Sequence, residues 1–207
     1  MLDIHDMISG SWVSGTHMAN RMQGSDFISD FASFLVSVHK LKPENLLPVH
    51  YDVSRMHPIV DKLRKHPPPN NEMFCAKAIE EFDKISFAET TFIHGDLWYK
   101  NVIVEEEKFQ GLIDWDKACM GDPHWEFRMI RRWIGWDGLE ELIFYYNCSM
   151  GSELRTNVIR TLDKIALCNS YNERIRKPNA DKPISVIQGY IQHWPESWCR
   201  NRFNIFR

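Results

Sequence analysis

Apolar positions recur at helical spacing twice in the N-terminal half of the chain. In SDFISDFASFLVSVHKL, Phe27, Phe31, Phe34, Leu35 and Val38 fall on one face. That stripe predicts an amphipathic helix capped by Ser25 and stopped by Pro43. In NEMFCAKAIEEFDKI, Phe74, Ala78, Phe82 and Ile85 form a second stripe and predict a second helix. Residues 43–71, closing on Pro67-Pro68-Pro69, read as an irregular connection. Residues 1–24 contain Gly10, Gly15 and Gly24 and read as loop.

The period then changes. TTFI (90–93) is a short strand-like run, and NVIV (101–104) and FQGLID (109–114) read as two strands joined across EEEK (105–108), a solvated turn. From residue 123 on the pattern is mostly helical, with Leu139, Ile143 and Tyr146 of WDGLEELIFYY at helical spacing and a break at Lys177-Pro178-Asn179. Repeats and low-complexity tracts are absent.

Composition narrows the class. At 207 residues, 43% of them hydrophobic, the chain can bury one sizeable core or two small ones. A net charge of −3 offers no footprint for nucleic acid, so that class of partner is not expected. No apolar run approaches a membrane span, and Met1-Leu2-Asp3-Ile4-His5 is not the basic start of a signal peptide; a cytoplasmic protein with no membrane partner is expected. Cys75, Cys119, Cys148, Cys168 and Cys199 are odd in number, scattered and without a CxxC pair, so neither a zinc site nor a disulfide framework is indicated. The spacing from Gly10 to Gly15 mimics a Walker loop, but no Lys precedes Thr16, and we read it as coincidence. His39, His50 and His57 read as surface or satisfied core residues.

The candidate chemistry lies in FIHGDLWYKNVIVEEEKFQGLIDWDKACMGDP (92–123). A loop after residue 93 presents His94 and Asp96, and the chain enters a strand at Asn101. A hairpin brings its two ends together, so Asn101 and Asp114 should lie side by side despite their thirteen-residue separation. An amide oxygen and a carboxylate are hard ligands suited to Mg²⁺, and Asp96 just outside them is placed to accept a proton from an attacking hydroxyl. Asp or Asn alone would be ordinary turn chemistry; the joint spacing carries the reading.

His94-Gly95-Asp96-Leu97-Trp98-Tyr99-Lys100-Asn101 fits the H-R-D-L-x-x-x-N catalytic loop of kinases with Gly in place of Arg, and Asp114-Trp115-Asp116 stands at the D-F-G position. HGDLWYKN followed by LIDWDKACMGDPHWEF resembles the aminoglycoside phosphotransferase and choline-kinase-like group of small-molecule kinases, fructosamine kinases included. The resemblance implies an α+β, protein-kinase-like C-terminal lobe, mainly helical, with a small β-hairpin carrying the metal-site residues. It implies Asp96 as the catalytic Asp with His94 bracing its loop, and Asn101 and Asp114 as the ligands of Mg²⁺ and the binders of ATP. Gly121-Asp122-Pro123 matches the group's GDP turn and Glu126 a position commonly Asp; both read as structural. Asp116 fills a position that is often acidic or polar.

On this reading 1–24 is hinge-like, 25–89 helical, 90–123 the catalytic loop and metal hairpin, and 124–207 a helical substrate-side region. MLDIHDMISGSW resembles the hinge between lobes and DFASFLVSVHKL the first helix of the C-terminal lobe. The group's N-terminal β lobe, with its phosphate-covering loop and Lys, has no counterpart before residue 94. The expectation is therefore a truncated kinase, weakly active alone. It would tend to self-associate through apolar surface around Met7, Ile8, Trp12 and the hairpin.

Trp125, Trp133, Trp136, Tyr145, Tyr146, Trp194 and Trp198, with Asp137, Glu140 and Glu141, are the candidates for holding a small-molecule hydroxyl acceptor such as an aminoglycoside, amino sugar or choline-like compound, though most of the aromatics read as core. Two alternatives stand beside the kinase. One is a non-catalytic, pseudokinase-like binding module. The other is a metal-dependent hydrolase using His94, Asp96, Asp114 and Asp116.

Overall fold

A computed structural model describes residues 16–17, 25–42, 56–87, 90–106, 108–151, 153–176 and 184–192. Met7, Ile8, Gly10, Trp12, Gly15, Gly24, His50, Trp194, Trp198 and Cys199 lie outside them.

Helix α1 (Ser25–His39) forms where the first stripe predicts it. Phe27, Phe31, Leu35 and Val38 are buried. Helix α2 (Met56–Lys65) corrects the expectation of an irregular connection. Only Met56, Val60 and Leu63 of its ten residues are buried, so its stripe is too thin to stand out among flanking prolines. Pro58 is tolerated because the first turn of a helix has no intrahelical acceptor for the missing N–H. Helix α3 (Glu72–Phe82) buries Cys75, Ala78 and Phe82, and Ile85 follows it half-buried.

Two small sheets sit between the helices. Strand β1 (Thr16–His17), in a region read as loop, pairs antiparallel with β3 (Val102–Glu105), Thr16 opposite Val104. β3 also pairs with β4 (Lys108–Leu112), and the register skips Gln110, a bulge next to Gly111. Glu105, Glu106 and Lys108 of the expected turn are exposed. Strand β2 (Thr91–Ile93) pairs instead with β5 (Cys119–Gly121), a strand the sequence pattern does not predict. This second pairing matters most for the site, because it draws residues 94–96 against 114–118.

The C-terminal half is helical. Asp122 caps α4 (Pro123–Phe127), accepting the His124 backbone N–H at 2.8 Å, with Pro123 at the first helical position. Helix α5 (Arg131–Met150) is broken at Gly135, whose φ of 76° and ψ of 178° only glycine adopts without strain. Helices α6 (Thr156–Arg176) and α7 (Ile184–Gln192) complete the described chain, and the predicted Lys177-Pro178-Asn179 break lies outside the described residues.

One apolar cluster joins α1, the β3–β4 hairpin and α5, with the Phe109 ring 4.9 Å from Phe34 and 5.2 Å from Phe31. A second joins α2, α3 and α6 through Leu63, Cys75, Phe82 and Leu162. Buried Arg131 pairs with buried Asp163 of α6, whose other carboxylate oxygen takes Arg132 at 2.5 Å, tying the start of α5 to α6. His39 is a core residue: Nδ1 lies 2.7 Å from the Tyr146 hydroxyl, Nε2 is buried with no partner among the described residues, and burial drives the pKa down to about 3. No described helix is long and apolar enough to cross a membrane.

Candidate active site

The loop leaving β2 is fastened at each residue. His94 is fully buried; its Nδ1 accepts the Asp96 backbone N–H at 3.3 Å, so the proton sits on Nε2, which donates to the Ile113 carbonyl at 2.8 Å. Burial, opposed by that hydrogen bond, lowers the His94 pKa and keeps the ring neutral. Trp115 covers it at 4.7 Å between ring centroids and stacks on Phe92 from β2. The next residue has no room for a side chain. A Cβ on Gly95 would stand 2.2 Å from the Lys117 carbonyl oxygen, and its φ is +79°. Glycine in place of the kinase Arg is thus required by the β2–β5 pairing.

Asn101 closes the loop onto the hairpin. Its Nδ2 donates to the Asp96 carbonyl at 2.9 Å, and its own carbonyl accepts the Ile113 N–H at 3.0 Å. The far end of the hairpin therefore lies beside Asn101, as its ends must. Asp114 follows with φ 63°, a left-handed conformation that Asp tolerates better than most residues. Asp116 is exposed one residue beyond Trp115.

Three charged residues add what the sequence reading missed or left as structural. Lys117 Nζ meets Asp96 Oδ2 at 2.5 Å. Glu126 lies buried beneath the loop, Oε2 accepting the backbone N–H of His94 at 2.5 Å and of Gly95 at 3.3 Å. Burial pushes its pKa up to about 7 despite those donors, and Oε1 has no hydrogen-bond partner among the described residues. Arg128 lies 3.5 Å over the Trp125 ring and donates from Nη1 to the Trp125 carbonyl at 2.6 Å. Lys117 carried a possible signal, standing three residues after Asp114, but only the β2–β5 pairing aims it at Asp96. Arg128 carried none.

The donors present suit a hard divalent cation. With Nδ2 of Asn101 committed to the loop, its side chain offers Oδ1; the Asp114 carboxylate is exposed and has no hydrogen-bond partner among the described residues. An amide oxygen and a carboxylate, with no thiolate or imidazole, is the set Mg²⁺ prefers. His94 is excluded from such a set, since both ring nitrogens are engaged. Among the described residues no three His, Cys, Asp or Glu side chains converge, so His94, Asp96, Asp114 and Asp116 do not form one cluster here.

Asp96 and Lys117 open onto a cleft of about 500 Å³, walled by Trp125, Arg128, Leu162 and Glu173 among others. Of the aromatic candidates for the acceptor, Trp125 lines it. Trp133, Trp136 and Tyr146 are buried in the core and Tyr145 packs against it. Asp137 and Glu140 are exposed, Glu140 meeting Arg160 at 3.3 Å. Of the described aromatic candidates only Trp125 therefore stands at the cleft, and the others are core or packed on it, as their helical spacing leads one to expect.

Comparison with known proteins bears on this geometry. No curated protein sequence matches the chain. Among solved structures, a macrolide 2'-phosphotransferase type I superposes with a TM-score of 0.63 at 17% identity, over 87% of this chain and 67% of that one. The GDP and kanamycin complex of the phosphotransferase APH(2'')-IIIa gives 0.67 at 14%, over 88% and 68%. The aminoglycoside phosphotransferase APH(3'')-Id from Streptomyces rimosus gives 0.54 at 19%, over 75% and 66%. At these identities the likeness is one of fold, and the chain spans about two thirds of the length of these structures. It is a partial, C-terminal-lobe-like version of the kinase-like α+β fold. The phosphotransferase enzyme family profile matches residues 5–146, more than half of the sequence, and the chain belongs to that family.

Proposed function

We propose that the protein transfers the γ-phosphate of ATP to a hydroxyl of a small molecule, with Asp96 as the catalytic carboxylate. The observation that carries this reading is the linkage of Asp96 to the hairpin through Asn101, which holds a proton acceptor, an amide oxygen and the Asp114 carboxylate on one rigid frame.

In the proposed step the acceptor hydroxyl lies in the cleft against Asp96. Its oxygen attacks the γ-phosphorus, its proton passes to the Asp96 carboxylate, and the bond to the bridging oxygen of the leaving nucleoside diphosphate breaks. Asn101 Oδ1 and Asp114 are the residues that would hold Mg²⁺, which supplies charge neutralisation on the phosphates. His94, Gly95 and Glu126 do no chemistry on this view. They fix the backbone from which Asp96 projects, and phosphoryl transfer depends chiefly on such positioning. That a protein of similar fold is solved as a GDP complex supports a nucleotide as the phosphate donor.

The test compares nucleotide binding and phosphate transfer in the full chain and in Asp96→Ala. Transfer that disappears while nucleotide binding persists supports the assignment. Nucleotide binding with no transfer in either protein favours the non-catalytic reading, and equal residual transfer in both removes Asp96 from the mechanism.

A further inference from the structure

The charges on the cleft wall do not cancel. Each acidic residue there is answered from within the protein. Asp96 is held by Lys117, Asp122 Oδ1 accepts from the backbone and ring of His124, and Glu173 Oε1 accepts from Asn169 Nδ2 at 3.2 Å and lies 3.8 Å from Lys62. Lys117 is answered by the same Asp96. Arg128 differs. It lines the cleft at 6% exposure, and its one hydrogen bond among the described residues runs from Nη1 to the Trp125 carbonyl. No carboxylate among the described residues is hydrogen-bonded to it: Asp163 is taken by Arg131 and Arg132, and Glu126, whose charge still acts on Arg128, spends Oε2 on the catalytic loop.

This is an expensive arrangement to leave without a function. Burial lowers the Arg128 pKa to about 10, as expected for a desolvated cation lacking a bonded counter-ion. The guanidinium is also held in place, its carbon 3.5 Å from the centre of the Trp125 ring and one nitrogen anchored to the Trp125 carbonyl. That leaves Nε and Nη2, the side-on fork whose two parallel N–H groups match the two oxygens of a carboxylate.

Resting on the kinase reading above and naming its substrate class, we propose that the acceptor is a hydroxylated acid whose carboxylate is held by the Nε/Nη2 fork of Arg128, its hydroxyl reaching Asp96 across the same cleft. A polycationic acceptor is the wrong complement: its amines would meet the cations Lys117 and Arg128 on the cleft wall, and carboxylates that already accept hydrogen bonds.

The experiment measures binding to the full chain without nucleotide, by ligand-observed NMR and calorimetry. The probes are matched triads of acid, neutral polyol and amine, from glycerate, glycerol and aminopropanediol up to gluconate, glucitol and glucamine. The acids should bind about tenfold or more tighter than their neutral and amine partners, as a charge-assisted pair replacing a solvated one implies. Arg128→Gln should erase the difference, and Arg128→Lys, which keeps charge but loses the fork, should retain part of it. Equal binding across each triad, a preference for amines, no acid binding, or acid binding unchanged in Arg128→Gln each overturns the proposal. Should Arg128→Gln fail to fold, the wild-type triads and Arg128→Lys still decide. Phosphate transfer from ATP is followed separately by phosphorus NMR. Acids bound through Arg128 but never phosphorylated leave the anion site standing and defeat the kinase; phosphorylation of amines does the reverse.

Discussion

Lys117 Nζ lies 2.5 Å from Asp96 Oδ2, an ion pair between residues that only the β2–β5 pairing brings together. Both side chains reach solvent, 57% and 28% exposed, so the pair adds no more than about 1 kcal/mol to stability. Its effect is orientation: it selects one direction for the carboxylate that faces the cleft. Lys117→Met should leave urea unfolding nearly unchanged while lowering kcat by about tenfold to a hundredfold. Lys117→Arg should recover much of the loss. Undiminished turnover in Lys117→Met would show that Asp96 needs no such guide.

Gly95→Ala tests the loop itself. The added methyl meets a backbone carbonyl, which cannot rotate aside, and the positive φ disfavours any L side chain. A loss of about 2 kcal/mol or more is expected, with activity falling further than stability because His94 and Asp96 shift together. Denaturant titration and kinetics on the same preparation separate the two effects.

Glu126 predicts a pH dependence with a definite sign. Its folded pKa of about 7 lies above the unfolded value of 4.5, so the native state holds the proton more tightly. Nothing is lost below the unfolded value. As pH rises towards the folded value the unfolded chain ionises first and stability declines, by about 3 kcal/mol in all, before levelling off. Glu126→Gln should flatten this part of the profile when unfolding is compared at mildly acidic and mildly alkaline pH. An equally steep profile in Glu126→Gln assigns the dependence to other groups.

Asp114 sets function against conformational ease. Its left-handed backbone costs something that Gly or Asn would relieve, and its exposed carboxylate supports no packing. Asp114→Gly and Asp114→Asn should melt at or slightly above the wild-type temperature, yet lose phosphate transfer and its response to added Mg²⁺. Activity that survives in Asp114→Asn with an unchanged Mg²⁺ requirement would remove Asp114 from the metal site.

Much of the architecture was legible in the linear pattern because it depends on short-range periodicity. The stripe of Phe27, Phe31 and Leu35 is a helix face whatever it packs against, and a charged turn between two short apolar-rich runs closes a hairpin locally. Helix α2 was hidden because three buried residues in ten, between proline-rich flanks, make too weak a repeat. Strand β5 was hidden because Cys-Met-Gly has no alternation to read.

The order of His94, Asp96, Asn101 and Asp114 was set by the chain alone, since a loop and a hairpin carry their residues with them. Which charges face one another was decided only in three dimensions. Lys117 reaches Asp96, Glu126 caps the loop and Arg128 stands in the cleft with no carboxylate hydrogen-bonded to it among the described residues, because distant segments pair and pack there. Linear spacing reports local geometry; the electrostatic partners of a site come from tertiary contacts, and those depend on every segment at once.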